Sequence, residues 1–520
     1  QNQKQFFPNN YSRIAFITNK YSLELRIKKS LFFLQKIFNN PQIIQKANQS
    51  DLQFISILLS ELFSAFYDTK VTLILDRGLI EINSTLFKLF NRIIAKQTEL
   101  VSFRGLIVDQ IISNDSSIIC FDGNTQIIIN CSDFWQELPK SVKNGTKLNC
   151  FKLQQLKENL FKTTTESLIV IEPDYLYDIS EIAESFTKTG FNAYNYFINK
   201  YYPNNFSFYT FIGNVVNYML DELLVNPRAD FEELFLNSLR KKILQFLILN
   251  KYNPNVAEEI KENIKQHFDN LNKILPYLTE FDNQIEPSFF SADYGLVGRM
   301  DILLQDKGNR NDKTIVELKS GNYPEDQIRF QTSDGSVFYS PMWHSHYAQT
   351  IGYNLLADSV YPNRKGTSMI LYSKDSQRAL REAPNDIKLK RDFIKARNWI
   401  YLLENQISNK NYSIFETLEK KLPQINGISA EKFTMLRETL GSLNEVNKKL
   451  LFHFCTFILN EVKSAKIGES DANTRYVQRS LWLEATEEKI NHQSILNNLL
   501  LQLDKSNFNK LYLYFQRTEE

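Results

Sequence analysis

The chain is poor in cysteine and in the residues that mark tight turns, and each shortage excludes a class of protein. Its 520 residues include only four cysteines, and none of them forms a CxxC pair. This pattern argues against a disulfide framework, a zinc site and an iron–sulfur ligand set, so we predict reduced thiols packed in cores. The 16 glycines and 14 prolines make up under half of their usual combined share of about 12%. A helix-rich protein is therefore favoured over one made of short strands and turns.

The sequence also has no long apolar run and no excess of one charge. No stretch reaches the roughly 18 uninterrupted apolar residues of a membrane span, and the polar start from Gln1 to Gln5 has no signal-peptide core. We therefore expect a cytoplasmic protein without a membrane partner. The 61 Lys and Arg nearly balance the 59 Asp and Glu, so any site for a polyanion must be local. Because the first residue is not Met, the chain is either trimmed or a fragment, and the sequence leaves both open.

At roughly 150 residues per domain, the length predicts three or four folded units. Apolar residues recur at helical spacing up to residue 97, and short β-branched runs separated by turn residues follow. Strands then alternate with helices until about Tyr372, as in an α/β domain. The predicted units are a helical lobe (1–97), a small OB-like β-barrel (98–165), an α/β domain (166–398) and a helical stalk or docking lobe (399–520). For the barrel, a purely packing role and a nucleic-acid-binding role are both open.

Two apolar strands of the α/β domain carry the residues that indicate chemistry. The run Gly295–Leu304 contains Asp301, the run Thr314–Gly321 contains Glu317 and Lys319, and a polar turn separates them. If the strands pair as a hairpin, the two carboxylates can meet at one end of the sheet. The period of two places Glu317 and Lys319 on the same face. Two hard oxygen ligands suit Mg2+ or Mn2+ at a phosphate, and a lysine can hold the nucleophile or the developing charge.

The plain alternative for these three residues is a solvated ion pair, which contributes little to stability. Two further polar pairs favour a site instead. Gln349 and Tyr353 are four residues apart on one predicted helix, and Asn217 and Asp221 are four apart on another, so each pair shares a helix face. Four polar clusters in this order are much harder to obtain by chance than one.

The order of these motifs, G-x-x-x-N, GRMD, ELK and Q-x-x-x-Y, is similar to that of the RecB-type branch of the PD-(D/E)xK nuclease superfamily. Within that branch, the segments Ile171–Leu176 and Ile182–Ser185 look most like the nuclease modules of nuclease/helicases that trim replication flaps and resect DNA ends. The resemblance covers roughly residues 100–400 and is strongest from Asp301 to Tyr353. It implies an α/β fold with a restriction-endonuclease-like core, an OB-like barrel and flanking helical lobes.

For function, the resemblance implies a metal-dependent deoxyribonuclease that cleaves single-stranded or flap DNA by attack of a metal-activated water. The implied catalytic residues are Asp301, Glu317 and Lys319. The implied ligands for Mg2+ or Mn2+ are Asp301, Glu317, the carbonyl of Leu318 and Asn217. Gln349 and Tyr353 are implied contacts to the DNA backbone. The expected setting is DNA repair, replication or defence, with a helicase on a missing C-terminal part or on a partner chain.

Two departures from the family pattern bear on these expectations. Asn217 stands where relatives usually have a metal-binding histidine, and an amide oxygen is a weaker ligand than imidazole for transition metals, although acceptable to Mg2+. Many relatives also bind an iron–sulfur cluster through one cysteine before the first motif and three after the last. Residues 185–188 contain no cysteine and Cys455 stands alone, so we expect no cluster.

A basic stretch over residues 364–397 is a candidate surface for the DNA backbone. It contains ten Lys or Arg and four acidic residues, although a solvated helix face is an equally good explanation of such a run. The DNA contacts that we single out in it are Arg378, Lys390 and Arg391. Nearby, His344 and His346 invite a metal interpretation, but histidines beside a site are more often hydrogen-bonded structural groups.

Two other functions stand beside the active nuclease. A nuclease-inactive DNA-binding or scaffold module of a larger helicase assembly is favoured by Asn217. The presence of Asp301, Glu317 and Lys319 together favours activity, since an inactive site has no physical need for all three. An RNA nuclease also stays open, because metal chemistry at phosphate is indifferent to the sugar.

The sequence contains no phosphate-binding loop of the form GxxxxGK[ST], which predicts that this chain has no motor of its own. Purified chain incubated with ATP and single-stranded DNA should release no more inorganic phosphate than a protein-free control. DNA-stimulated ATP hydrolysis by the chain would contradict this prediction.

Overall fold

The computed structural model describes most of the chain. The described residues are 14, 23–67, 71, 73, 75, 77–95, 100–112, 116–201, 206–253, 255–420, 428–468, 477–491, 493–506 and 513–518. The predicted helical lobe therefore lies partly outside the described residues. Of the helices in the described ranges, none is long and apolar enough to cross a membrane.

The described N-terminal region is helical, as the apolar spacing predicts. Its helices are α1 (Leu25–Phe38), α2 (Pro41–Gln45), α3 (Gln49–Tyr67), α4 (Arg77–Asn83) and α5 (Thr85–Ala95). Phe33, Phe54 and Phe90 are buried together, with ring centroids 5.1 to 6.4 Å apart. The buried carboxylate of Asp51 accepts a hydrogen bond from the hydroxyl of Ser84 at 2.7 Å, which ties α3 to the start of α5.

A closed five-stranded barrel follows, and it confirms the prediction of a small barrel. Its strands are β1 (Leu100–Ile112), β2 (Ser117–Phe121), β3 (Gln126–Asn130), β4 (Lys147–Lys157) and β5 (Leu160–Lys162). They are hydrogen-bonded in the order β1-β2-β3-β5-β4, and β4 pairs back with β1. Only the β3–β5 pair is parallel among these strand pairs. Closure removes the free edges of the sheet.

Two features complete the barrel. A short helix, α6 (Leu138–Ser141), lies between β3 and β4 in the chain, and β6 (Leu168–Ile171) pairs with β4. The barrel sheet thus continues past residue 165, where we placed its end. Cys120, Cys131 and Cys150 are buried in the core, and burial raises the pKa of each thiol.

The α/β region begins with short elements and a group of helices. The short elements are β7 (Tyr177–Asp178), α7 (Ile179–Ala183), β8 (Phe186–Thr187), β9 (Gly190–Phe191) and α8 (Ala193–Tyr201). The helices after them are α9 (Phe208–Val225), α10 (Phe231–Lys241), α11 (Ile243–Tyr252) and α12 (Val256–Thr279). Side-chain caps mark the starts of α9 and α10, where Ser207 and Asp230 accept hydrogen bonds from backbone amides of the first turn.

Strands and two long helices make up the rest of this region. They are β10 (Asp282–Ile285), β11 (Ser288–Ser291), β12 (Leu296–Arg299), β13 (Ile302–Gln305), β14 (Lys313–Lys319), β15 (Ile328–Gln331), β16 (Val337–Ser340), α13 (His344–Val360), β17 (Ser368–Tyr372), β18 (Leu380–Ala383) and α14 (Ile387–Ser408). Five strands form one mixed sheet in the order β10-β13-β14-β17-β18. Within it β14 and β17 are parallel and are joined through α13, while the other neighbours are antiparallel.

The predicted hairpin is the centre of this sheet. Strands β13 and β14 are antiparallel, with Ile302 opposite Val316 and Gln305 opposite Lys313. Side chains alternate between two cores, as the period of two requires. Val316 and Leu318 pack with α9, α10 and α12 on one face, whereas Ile315 packs with α13 and α14 on the other. The sheet is therefore covered by helices on both faces.

A buried arginine ties α14 to the barrel. The guanidinium of Arg397 is fully buried and donates hydrogen bonds to the carbonyls of Ile171, Glu172 and Tyr175. Its neighbour Asn398 bonds to the backbone of β6 as well. Removing either partner would leave a buried polar group without a hydrogen bond, so loss of this contact would lower the free energy of unfolding. Part of the basic stretch over residues 364–397 thus has a structural role.

The C-terminal region is mainly helical. Its described elements are α15 (Ser413–Lys420), α16 (Ile428–Ser442), α17 (Glu445–Ile467), α18 (Ser480–Leu483), α19 (Thr486–Asn491), β19 (Leu499–Leu501) and β20 (Phe515–Arg517). The β19–β20 hairpin was not expected from the sequence. Along α17, the apolar side chains of Leu450, Phe454 and Phe457 lie at the surface, since each is more than half exposed.

Two glycines test how closely the helices pack. A Cβ atom at Gly352, in α13, would lie 2.6 Å from side-chain carbons of both Ile179 and Phe393, whereas one at Gly441 would meet nothing within 4 Å. We expect Gly352→Ala to lower the free energy of unfolding by about 1 to 3 kcal/mol through overpacking. Gly441→Ala should raise it by up to about 1 kcal/mol, because alanine favours the helix. Denaturant unfolding of both variants checks this, and equal effects would contradict it.

Candidate functional site

Asp301 is held at the end of the β13–β14 hairpin by the backbone of the facing strand. The amide of Leu318 donates a hydrogen bond of 2.6 Å to Oδ2 of Asp301. Because Ile302 pairs with Val316, this bond extends the ladder by one step to the level of Glu317. Asp301 and Glu317 therefore lie at the same end of the sheet, close enough for the charge of Glu317 to raise the pKa of Asp301.

Glu317 and Lys319 point to the same face of β14, where α13 crosses. The ammonium of Lys319 lies 3.0 Å from Oε1 of Glu317 and donates a hydrogen bond of 2.8 Å to Oε1 of Gln349. The amide nitrogen of Gln349 in turn donates to Oε1 of Glu317 at 2.6 Å. Three side chains from two elements thus form a closed triangle. The Lys319 side chain remains 21% exposed, so part of it reaches solvent.

Tyr353, one helical turn after Gln349 in α13, holds the Gln349 side chain in place. Its hydroxyl accepts a hydrogen bond from Gln349 at 3.1 Å and donates one of 2.7 Å to the carbonyl of Arg299. Gly298 makes room for the ring, because a Cβ there would lie 3.0 Å from Tyr353 Cε1. The glycine of the GRMD motif is therefore explained by packing.

Helix α9 brings a third carboxylate to the site. Oδ1 of Asp221 is buried and has no hydrogen-bond partner among the described residues. Asn217, one turn earlier, donates from Nδ2 to Oε1 of Glu286 at 3.0 Å, and the amide of Glu286 donates to the carbonyl of Asp301 at 2.9 Å. The glycine of the G-x-x-x-N motif lets the helix approach, since a Cβ at Gly213 would lie 3.1 Å from the Ser320 hydroxyl.

The predicted catalytic and ligand residues did not include Asp221 or Glu286. Asp221 carried a signal, because it lies four residues after Asn217 and shares its helix face. Glu286 carried none, since its position beside Asp301 depends on the pairing of β10 with β13. Its backbone is in the left-handed region, with φ of 49°, and its second carboxylate oxygen accepts a hydrogen bond from Arg299 at 3.1 Å.

The crowding of acidic groups makes the site electrostatically unfavourable for anions. Burial raises the pKa of Asp301 well above its ordinary value, and the charge of Glu317 raises it further, against the opposing effects of the Leu318 amide and Lys319. Burial also raises the pKa of Asp221 to about 7, with the charge of Glu286 adding to the shift. A proton or a cation is needed to neutralise such a group of carboxylates.

The donor set fits a hard divalent cation. Mg2+ is commonly bound through one or two carboxylates, with waters and substrate phosphates completing its shell, and Asp301, Glu317 and the Leu318 carbonyl supply oxygen atoms of this kind. Oε2 of Glu317 is buried without a hydrogen-bond partner among the described residues, which is typical of a group that awaits a water or an ion. Within the same residues, no group of three or more His, Cys, Asp or Glu side chains is arranged to hold a metal ion.

The residues predicted to contact DNA are placed differently from one another. Gln349 and Tyr353 are buried, at 7% and 1% exposure, and their polar atoms bond within the protein. Arg378 is exposed. Lys390 pairs with Asp358 at 2.9 Å, and Arg391 pairs with Asp334 at 3.0 Å. DNA contact by these five residues stays a prediction.

The two histidines near the site have structural partners. Nδ1 of His344 is hydrogen-bonded to the Thr187 carbonyl, and its ring stacks on Phe330. Nδ1 of His346 lies 2.9 Å from the Tyr372 hydroxyl. Burial lowers the pKa of His344 to about 4 and that of His346 to about 3, so both rings are neutral at pH 7. These contacts favour the structural explanation over metal ligation.

Asp221 should make the metal-free chain less stable as the pH rises from about 4 to about 7. Its pKa is raised from 3.8 to about 7 by folding, so the stabilisation is complete below pH 4 and is lost as the pH passes the folded value. Asp221→Asn should remove this dependence and raise the free energy of unfolding at pH 8 by about 1 to 2 kcal/mol, after allowance for solvent screening. Denaturant unfolding in EDTA at pH 4, 6 and 8 measures the effect.

The control for this measurement is Asp269→Asn, which makes the same chemical change at an exposed position of α12. The difference between Asp221→Asn and wild type should vanish at pH 4. If the difference in free energy of unfolding between Asp221→Asn and wild type is the same at pH 4, 6 and 8, Asp221 does not titrate as the site geometry requires.

Comparison with known proteins does not assign this site to a family. No protein-family model matches the chain, and no curated protein matches it significantly. The similarity of its motifs to RecB-type nucleases therefore stays a prediction, and the chemistry must be argued from the side chains themselves.

Proposed function

We propose that the chain is a metal-dependent nuclease that hydrolyses phosphodiester bonds of DNA at Asp301, Glu317 and Lys319. The observation that carries the proposal is the convergence of one buried carboxylate (Glu317), one half-buried carboxylate (Asp301) and one partly exposed lysine at the end of a hairpin. Neighbouring carboxylates withdrawn from water need a proton or a cation to balance their charge. A purely structural acid pair would not require a partly exposed lysine beside it. The three together suit chemistry at a phosphate.

The architecture around the site supports the same proposal. A mixed sheet of five strands, with a helix joining its parallel pair and helices on both faces, is compatible with a restriction-endonuclease-like core. The barrel, with its strand order and single parallel pair, is compatible with an OB-like barrel, a fold that often binds single strands. Folds alone do not establish function, so both points are secondary to the site.

Each side chain has a defined task in this proposal. Asp301, Glu317 and the Leu318 carbonyl would hold Mg2+ or Mn2+, which when bound lowers the pKa of a water and neutralises charge on the phosphate. Lys319 holds the attacking water or the charge that develops on the phosphate oxygens. Gln349 fixes the Lys319 ammonium and the Glu317 carboxylate relative to each other, because it is hydrogen-bonded to both.

Tyr353 has a positioning role in this proposal, and Asn217 is a weaker, neutral ligand. Tyr353 orients Gln349 and anchors it to the backbone of Arg299, so we assign it positioning rather than direct contact with DNA. Asn217 donates its amide nitrogen to Glu286, which leaves the amide oxygen as the atom available to a cation. Since an amide oxygen is neutral, Mg2+ is the better match for this position than a softer metal.

Removing either carboxylate should abolish cleavage without unfolding the chain. We expect Asp301→Asn and Glu317→Gln each to reduce the rate on labelled single-stranded DNA by at least about a hundredfold, the scale of losing one transition-state contact. Both should also weaken Mn2+ binding in calorimetric titration, because the ligand charge is lost. Wild type and the double variant binding Mn2+ equally would overturn the assignment.

Matched variants separate the nuclease from its alternatives. Glu158→Gln removes the same charge from an exposed position on the barrel and should leave cleavage unchanged. Asn217→His should raise Mn2+ affinity and cleavage, whereas Asn217→Ala should lower both. The alternative scaffold function is favoured by the hydrogen bond between Asn217 and Glu286, which engages Asn217 within the protein. A wild-type chain that binds DNA but cleaves neither DNA nor RNA with Mg2+ or Mn2+ would support it.

A further inference from the structure

An open cavity of about 1260 Å3 lies where the N-terminal helices, the barrel and the start of α14 meet. Helix α1 forms one wall, and the second wall consists of Lys152 in β4 and the barrel residues before α6 and after β5. The third wall consists of the start of α14 and the turn between β15 and β16. We term this cavity the basic cleft. Its charged lining residues are Lys28, Lys29, Lys36, Glu137, Lys152, Glu166, Asp334, Asp386, Lys388, Lys390, Arg391 and Lys395.

Basic side chains outnumber acidic ones in this lining by eight to four. Several of the acids are already engaged: Asp334 pairs with Arg391, and Glu166 lies 3.6 Å from Lys152. Lys28 and Lys29 form no ion pair among the described residues. Lys390 is also paired, with Asp358 outside the lining at 2.9 Å. The remaining basic residues still outnumber the acids of the lining, so the cleft has a positive excess although the chain as a whole is nearly neutral.

The lysines of opposite walls are close enough to affect one another. Burial lowers the pKa of Lys28, and the charges of Lys152, Lys29 and Lys390 lower it further against the opposing charge of Glu166. These neighbours come from α1, the barrel and α14, so the repulsion acts across the cleft. Positive charges that converge from three elements are stabilised when an anion binds between them.

We propose that the basic cleft binds a segment of single-stranded nucleic acid at a place distinct from the cleavage site at Asp301 and Glu317. The proposal rests on the proposed nuclease function for its choice of ligand, and it names a strand-binding surface that the site itself does not contain. The lysines bind phosphates along the strand, and the cleft holds the strand in place while the chain acts on it.

Size and lining favour a strand over a small phosphorylated ligand. Pockets for small molecules commonly have volumes of about 300 to 1,000 Å3, and this open cleft is larger. Its lysines are spread over three walls rather than focused on one point, as expected for a chain of phosphates. Phe32 and Phe134 also line it, and aromatic side chains beside basic ones are typical of surfaces that bind single strands through their bases.

The test measures binding without cleavage, so that its outcome does not depend on the nuclease proposal. Fluorescence anisotropy of a labelled thirty-nucleotide oligothymidylate is followed in EDTA with the full chain. We expect the double variant Lys28→Glu, Lys29→Glu to bind at least about tenfold more weakly and to flatten the dependence of affinity on salt by about 0.7 per lost contact. Lys152→Ala, on the barrel wall, should also weaken binding, by a smaller factor. Because Lys152 is not in α1, a loss of affinity in this variant cannot come from misfolding of α1.

The matched control is the double variant Lys261→Glu, Lys265→Glu. It makes the same charge change at surface positions of α12 and should leave the affinity for the oligonucleotide nearly unchanged.

Equal losses of affinity in the cleft and control variants would overturn the proposal, because binding would then follow net charge alone. Displacement of the strand by tripolyphosphate or polyglutamate at a lower charge concentration than by unlabelled oligothymidylate would also overturn it, in favour of a small anion or an acidic peptide. Tight binding with intact cleft lysines but no cleavage in Mg2+ would leave the cleft supported and the nuclease proposal refuted.

Discussion

The hydrogen bond between the Leu318 amide and Asp301 is the contact on which the site depends. It holds a carboxylate beside Glu317, at 2.6 Å from the backbone of the facing strand, in a position where both acids are largely withdrawn from water. Two such groups cannot both stay charged without a compensating cation. Lys319 supplies one positive charge and Gln349 binds both partners, yet one oxygen of Glu317 remains without a partner among the described residues.

The surrounding fold serves to bring distant segments to this one end of the sheet. Helix α9 reaches it because Gly213 permits a close approach to Ser320, and α13 reaches it because Gly298 leaves room for Tyr353. Both glycines belong to motifs noticed for their polar residues. Their own contribution is steric, since a Cβ atom at either position would make a tight contact, of 3.1 Å with Ser320 or 3.0 Å with Tyr353, that the neighbour would have to relieve.

The basic stretch over residues 364–397 has no single purpose in the folded chain. Arg397 is buried and joins α14 to the barrel backbone, and Arg381 is buried in an ion pair with Asp375 at 2.6 Å. Lys388, Lys390, Arg391 and Lys395 instead line the basic cleft. A count of charges along the sequence treats these groups alike, although burial, pairing and exposure give them different consequences.

The sequence by itself determined the elements whose evidence is local. Alternation along β13 and β14 placed Glu317 and Lys319 on one face and Leu318 on the other, and β-branched runs between turn residues located the barrel strands, because period and turn chemistry act over a few residues. Only the tertiary structure decided that Asp221 and Glu286 join Asp301, that Gln349 and Tyr353 turn inward, and that α1 faces α14 across a cleft. Those contacts link segments far apart in the chain, and packing of side chains from several elements, rather than any local preference, sets such distances.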